Sequence, residues 1–511
     1  MLEWINRSIL AVQNIIARYP IGLFILIGIF THLTRYNHAL MPDEAYNWFS
    51  SNQGWKFAFD QAANDFFPPL YPVFLSAWLN SLPHSEFLLR LPSMIFSIVG
   101  MTLFFLWIRL WFNQAVLFCA AILIVTSPFL SFWGQFTKPF AMELMGLCGA
   151  LYFSFKFMYQ MENSCPRIKV IISAILLAGF GLVAVYSNHG APFSLAAIYI
   201  AAILNQPKRT GKKFVFNALK LLIPFIAIAI IWIPVALIAF EQLMQSHELK
   251  LPHTKSNIEL LIAWYRFFTA YNVWTLEILS FGVFITLFIL GIVKIQKSYR
   301  GLLIPLLVMA VLFPAILIFF AITIEPVFAR VFERSHWLAM VYLLLAGVGL
   351  VYVNELILKY LPFNLFKKSN VGQMTLVLLL LFPLAINLRG LTNTSMAGTA
   401  PWDQANTLIE DYYIDTDIIL GYPGHIRNML YYYLPESKHA AFGKETENPF
   451  STEQNLCDQM PDFTVSRFWL FSNTDSDVVG EKIVCDSYHL QNSYQSNRER
   501  NITAALYIFI P

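Results

Sequence analysis

Apolar residues in this chain gather into long runs, separated by short polar stretches, instead of the one-sided stripes of a soluble globule. A helix needs about 20 apolar residues to cross a bilayer. On that count the sequence predicts eleven spans, near 19–36, 89–109, 114–133, 139–160, 169–187, 190–206, 217–240, 275–294, 301–321, 337–356 and 371–390. Two loops break the rhythm. The first, 37–88, carries aromatic-rich amphipathic stretches at 43–52 and 69–82, which predict short helices lying at the membrane surface. The second, 241–274, predicts another around Trp264-Tyr265-Arg266-Phe267-Phe268. From about residue 392 the pattern turns to mixed polar sequence with short apolar alternations. There 417–422 and 468–471 read as strands and 402–413 as a helix. The expected fold class is therefore an all-α polytopic membrane domain over 1–391, with interfacial outer-loop helices, followed by a small α/β domain over 392–511.

Composition agrees with the pattern. With 57% hydrophobic and 13% charged residues and a mean hydropathy of +0.56, a chain of 511 residues is not a soluble globule. The first apolar segment is too long for a cleavable signal and lacks a small-residue cleavage site. Placing the N-terminus inside gathers 17 of the 34 lysines and arginines in inner segments, against ten on the outer face and seven in the tail. That bias predicts N-in, C-out, with loop 37–88 outside. The tail carries 16 acids and 7 bases, a net of −9, which leaves about +12 on the membrane part and argues against a nucleic-acid partner. Cys119 and Cys148 fall in spans and Cys165 in an inner loop. Cys457 and Cys485 fall in the tail, where an oxidising compartment would favour a bridge.

Chemistry concentrates in the first outer loop. Met41-Pro42-Asp43-Glu44-Ala45-Tyr46 sets two carboxylates where the first span ends, and Asp65-Phe66-Phe67-Pro68-Pro69-Leu70-Tyr71 adds a third acid before a rigid element. Proline followed by acids is also what a helix start favours. Group transfer to a hydroxyl needs a base near the acceptor oxygen and cations for the departing anion. Asp43 or Glu44 suits the first task. Lys138, Arg266 and Arg330, outer-face cations against the positive-inside trend, suit the second, and arginine binds phosphate with a planar fork. Snorkelling to lipid headgroups accounts for any one of these cations equally simply. Asp43, Glu44 and Asp65 would also offer oxygen ligands to a hard divalent cation, a requirement left open by the sequence. No sequence repeat, nucleotide-binding glycine loop or His/Cys metal cluster is present.

The two first-loop motifs resemble the signature of bacterial relatives of protein O-mannosyltransferases and of the aminoarabinose transferase acting on lipid A, within the C-type (GT-C) superfamily of integral membrane glycosyltransferases. Leu89-Arg90-Leu91-Pro92-Ser93 is similar to that family's lead-in to the second span. Ser127-Pro128-Phe129 through Trp133-Gly134-Gln135 is similar to its "SPF…YSQ" turn, and Phe328-Ala329-Arg330 falls where relatives carry an arginine. The resemblance implies a sugar carried on a polyprenyl (undecaprenyl) phosphate, inverting transfer to an acceptor hydroxyl of a glycolipid, polymer or protein at the outer face of a bacterial inner membrane, and no nucleotide sugar. It makes Asp43 the base, Glu44 an orienting carboxylate and Asp65 the second-motif acid, while the outer-face cations Arg330, Lys138 and Arg266 remain the expected donor-phosphate contacts, Arg330 leading. The chain departs from the family pattern in three places. Phe67 stands where many relatives have His or Lys, Gln135-Phe136-Thr137-Lys138 replaces "QEAR", and Tyr186-Ser187-Asn188-His189 shifts the histidine of a "YTHY" turn by one. Two other readings remain: a lipid or sugar transporter or flippase of similar span number, and a family member without catalysis that serves as a binding subunit.

Overall fold

The computed structural model describes residues 20–33, 40–64, 68–82, 85–205, 211–248, 274–323, 335–360, 369–392, 414, 418–422, 431–433, 467–472, 488–495 and 503–509. In chain order the helices begin with α1 (Pro20–Leu33), α2 (Pro42–Asn52), α3 (Trp55–Asn64), α4 (Leu70–Leu79) and α5 (Glu86–Trp111). They continue with α6 (Gln114–Val125), α7 (Pro128–Gln135), α8 (Phe140–Glu162), α9 (Arg167–Val185), α10 (Ala191–Leu204) and α11 (Lys212–Glu248). Last come α12 (Trp274–Ser298), α13 (Arg300–Leu307), which runs through a π turn at Val308–Leu312 into α14 (Phe313–Thr323), then α15 (Trp337–Tyr360) and α16 (Ser369–Thr392). The chain forms two compact units, one of residues 1–36, 59–71 and 90–393, the other of 37–58, 72–89 and 394–511.

In the first unit, eight helices among the described residues are long and apolar enough to cross a membrane, or nine if a bent pair counts as one. Eight of the eleven predicted runs thus appear as full-length helices. The runs at 19–36 and 190–206 appear as 14-residue helices, α1 and α10. At 1.5 Å per residue α10 is about 21 Å long, less than the hydrocarbon core of about 30 Å, and the residues on either side of α1 lie outside the described ones. The run at 114–133 is broken: α6 and α7 meet at 57°. Pro128 lacks the amide that would continue α6, and Ser127 caps the new helix by accepting from Leu130 N at 3.4 Å.

A broken span in a bilayer must have its backbone satisfied from within the protein. Here side chains do it. Ile122 O accepts from Thr126 Oγ1 at 2.6 Å, and Val125 O accepts from Thr31 Oγ1 of α1 at 2.7 Å. Asn387 Nδ2 of α16 donates to Leu123 O at 3.2 Å and to Thr126 Oγ1 at 3.1 Å. The core around this break is close-packed. Helix α15, two-thirds buried, lies against α12 and α6. Gly349 lets it approach the Leu287 carbonyl so nearly that no Cβ fits between them, and Gly347 does the same against Ala120, where a Cβ would stand 2.7 Å from the amide nitrogen. Small residues at such crossings let apolar helices pack backbone to backbone.

In the second unit, α2 and α4 correspond to the two stretches expected as short outer-loop helices. A further helix, α3, of which only Trp55–Ala58 belong to this unit, follows Gly54, whose φ of 101° makes the turn after α2. Ser51 Oγ donates to Pro72 O at 3.1 Å, pinning α2 to α4. The expected strands are present. Strand β1 (Ile418–Tyr422) pairs in parallel with β2 (Arg467–Ser472), and β3 (Tyr488–Gln495) and β4 (Thr503–Phe509) complete the order β1-β2-β4-β3, the last two pairings antiparallel. Trp469 is buried at the centre of β2. Residues 431–433 pack on the first-loop helix: Tyr432 meets Trp48 edge-on at 5.0 Å, and Tyr433 Oη accepts from Leu40 N at 2.7 Å. The helix expected at 402–413, the interfacial helix around residue 266, and Cys457 and Cys485 lie outside the described residues; Cys119, Cys148 and Cys165 are free thiols.

Candidate active site

The structure places the first-loop acids at the start of α2, and their environments differ. Pro42 opens the helix, Asp43 follows with its side chain exposed, and Glu44 turns inward, only 1% exposed. A Glu44 carboxylate oxygen accepts from Met41 N at 3.0 Å, so it satisfies one amide that a helix start leaves bare. The expectation of a helix cap therefore holds for Glu44. Asn47 Nδ2 donates to the Asp43 backbone oxygen at 3.0 Å. Asp65, Arg266 and Arg330 lie outside the described residues. No group of three or more His, Cys, Asp or Glu able to hold a metal is found among the described residues.

In the first unit, motifs scattered over 120 residues of sequence converge. Tyr71 Oη lies 2.8 Å from Ser93 Oγ, joining the Pro-Pro motif to the lead-in of α5. Leu70 N donates to Tyr186 O at 3.3 Å, joining the same motif to the Tyr186-Ser187-Asn188-His189 turn. Asn188 Nδ2 donates to a Glu143 carboxylate oxygen at 2.7 Å, joining that turn to the first turn of α8, and Asn188 Oδ1 accepts from Gly190 N at 2.9 Å. Lys138 sits on the link between α7 and α8 and is 8% exposed, while Arg90 on α5 is 5% exposed. Buried cations persist only where charge or dipole compensates them, and in membrane proteins they mark functional sites by default.

Beside this cluster α7 closes onto α1 and α5. His32 Nδ1 donates to Gly28 O at 2.8 Å, which leaves Nε2 of the neutral ring to accept from Ser97 Oγ at 3.0 Å. Gly134 faces that pair, and a Cβ there would stand 2.5 Å from Ser97 Oγ. Gln135 Nε2 donates to Ser131 O at 3.1 Å, and Ser131 Oγ donates to Thr31 O at 3.0 Å. Phe136, one of the departures from the family pattern, stacks on Phe132 at 5.6 Å and meets Trp133 edge-on at 5.3 Å. The His336 ring lies among Trp133, Phe140 and Phe129, at 4.8, 4.9 and 5.4 Å. Sequence reasoning gave no role to Arg90, His32 or His336. Arg90 lay inside a motif already noticed, and a basic or titratable residue within one turn of a span end is the signal that finds all three.

No protein-family model and no curated protein sequence matches the chain. Solved structures do. ArnT from Cupriavidus metallidurans in the apo state superposes with a TM-score of 0.56 at 13% identity, over 96% of this chain and 98% of that one. The same protein bound to undecaprenyl phosphate superposes at 0.51, with 12% identity and coverage of 95% and 97%. The archaeal oligosaccharyltransferase AglB from Archaeoglobus fulgidus, in complex with an inhibitory peptide and a dolichol-phosphate, gives 0.50 at 12% identity, over 89% of this chain and 70% of that one. At such identities the path of the chain is shared, not its residues. Over nearly its whole length the chain has the fold of the GT-C integral membrane glycosyltransferases.

Proposed function

We propose that the protein transfers a sugar from a polyprenyl-phosphate carrier to an acceptor hydroxyl at the outer face of the membrane, with Asp43 as base. The observation that carries this reading is the division of labour in the acid pair: Glu44 is buried in a cap, and Asp43 is exposed at the head of the same helix. The fold supports it, since ArnT has been captured with undecaprenyl phosphate and AglB with a dolichol-phosphate. A carrier with a long hydrocarbon tail also explains why so much of the protein is apolar.

In the proposed reaction the acceptor O–H gives its proton to the Asp43 carboxylate as the oxygen attacks the anomeric carbon. The carbon–oxygen bond to the phosphate breaks on the opposite side, inverting the centre. The bonding pair leaves with the polyprenyl phosphate, whose charge Lys138, Arg266 and Arg330 neutralise. Lys138 fits that role through its burial, because a cation held away from water acts on an anion with less screening. Asp65 belongs to this reading as the second-motif acid, and loop 37–88 and the tail from 392 as parts facing the outside. The 57° break at Thr126–Pro128 is the feature a transporter reading would claim. Its exposed carbonyls and its helix start are satisfied by the chain itself, which favours a fixed kink over a substrate site.

The test is release of free polyprenyl phosphate by purified protein given a synthetic short-chain polyprenyl-phosphate sugar. Wild type should release it and Asp43→Asn should not, with unchanged folding. Movement of the lipid between leaflets without release would favour the transporter, and near-normal release by Asp43→Asn would remove Asp43 from the chemistry.

A further inference from the structure

Glu143 is a carboxylate 3% exposed in the first turn of α8, and the transfer step as written does not use it. Its geometry ties it to the Pro-Pro motif instead. From Glu143 the contacts run to Asn188 at 2.7 Å, through the Tyr186–Gly190 turn that Asn188 closes with the Gly190 amide, and from Tyr186 O to Leu70 N at 3.3 Å. Leu70 is the first residue of α4, five residues after Asp65, and the next residue, Tyr71, is held by Ser93. A segment that begins with two prolines and is bonded on both sides has little freedom to shift.

We infer that Glu143 is a positioning residue: through Asn188 and the Tyr186 carbonyl it fixes the stretch Pro68–Tyr71 of the second motif. The inference rests on the transfer reading for its kinetic consequence, but the link itself is structural and can be read without turnover. Toward Asn188 the Glu143 carboxylate is an acceptor, and a neutral side chain of the same length keeps that bond.

The experiment uses the full-length protein with Glu143→Ala, Glu143→Gln and Leu70→Pro. The last removes the amide, and with it the half-buried leucine side chain, at a first helical position where proline is tolerated. Hydrogen exchange is followed in peptides covering 68–79, and turnover and donor KM are measured beside it. Glu143→Ala and Leu70→Pro should each speed exchange in that segment and lower kcat roughly 10- to 100-fold, the scale of a 1 Å misplacement, with donor KM little changed. Glu143→Gln should restore protection at 68–79, because it keeps an oxygen for Asn188 Nδ2. The Glu143→Ala/Leu70→Pro double variant should be no worse than either single one, since both cut the same link. Unchanged exchange at 68–79 in Glu143→Ala, or multiplied defects in the double variant, would overturn the inference. Should wild type transfer no sugar, the transfer reading falls, and the exchange result alone then upholds or ends the link.

Discussion

Glu44 and Asp43 sit side by side, yet their replacement should be felt in different measurements. Glu44→Ala removes a charge-assisted bond to the Met41 amide inside a buried site. Bonds to charged groups contribute about 1.5–3 kcal/mol. With 1.4 kcal/mol per factor of ten, local opening of α2 should rise roughly 10- to 150-fold. Glu44→Gln keeps an acceptor and loses only charge, a cost of about 1 kcal/mol and roughly fivefold. Asp43→Asn lies at an exposed position and weakens the interaction with the helix dipole, worth about 0.3–1 kcal/mol, a loss that by itself raises opening at most about fivefold. Turnover should show the reverse order, because losing a positioned base costs about 10²–10⁴ in rate. Amide hydrogen exchange across 44–52 reads the first quantity and polyprenyl-phosphate release the second. Equal loss of protection and equal loss of turnover in Asp43→Asn and Glu44→Ala would mean that both acids serve the helix and that the base lies elsewhere.

Arg330→Ala should reduce use of a polyprenyl-phosphate sugar by roughly one to two powers of ten, and Arg330→Lys should recover only part, because the fork is lost while charge remains. Equal, small effects at Arg330 and at Arg334→Ala would show that both merely meet headgroups. Gly349→Ala should destabilise the protein by about 1–3 kcal/mol, since the new Cβ has no room against Leu287 O, whereas Gly179→Ala, inside α9 with open space around it, should leave thermal stability unchanged or slightly raised. Indistinguishable unfolding of the two would contradict the packing described for α12 and α15. The tail beyond 392 should react with membrane-impermeant reagents in intact cells, and non-reducing peptide mapping should find Cys457 joined to Cys485. Labelling only after the membrane is opened would invert the topology, and free thiols would cancel the bridge.

Spans such as Glu86–Trp111 and Trp337–Tyr360 were legible because bilayer insertion is decided by composition over about 20 residues, which a single sequence displays. The break within 114–133 was not. Its residues are as apolar as those of an intact span, and what permits the kink is a set of donors at Thr31, Thr126 and Asn387 that sequence does not place together. Helix α3 was missed for a related reason: exposed Trp55, Phe57 and Phe59 blur the polar face that would mark a surface helix. At the site, the motifs themselves were legible from residue type and spacing. Their convergence was hidden, because bonds such as that between Glu143 and Asn188, 45 residues apart, depend on how α8 and α9 pack.

The kink between α6 and α7 has a consequence for how the protein is made. Leu123 O receives its donor from Asn387, 264 residues further along the chain. At translation rates of about 5–20 residues per second, roughly 13–53 s separate the two residues leaving the ribosome. During that interval the kinked segment has Thr31 and Thr126 in place and lacks its third clasp, so water or the insertion machinery must serve the bare carbonyl. Helix α16 thus acts as a latch, and chains halted before residue 387 should be open to quality-control proteases at a point far from where they stop.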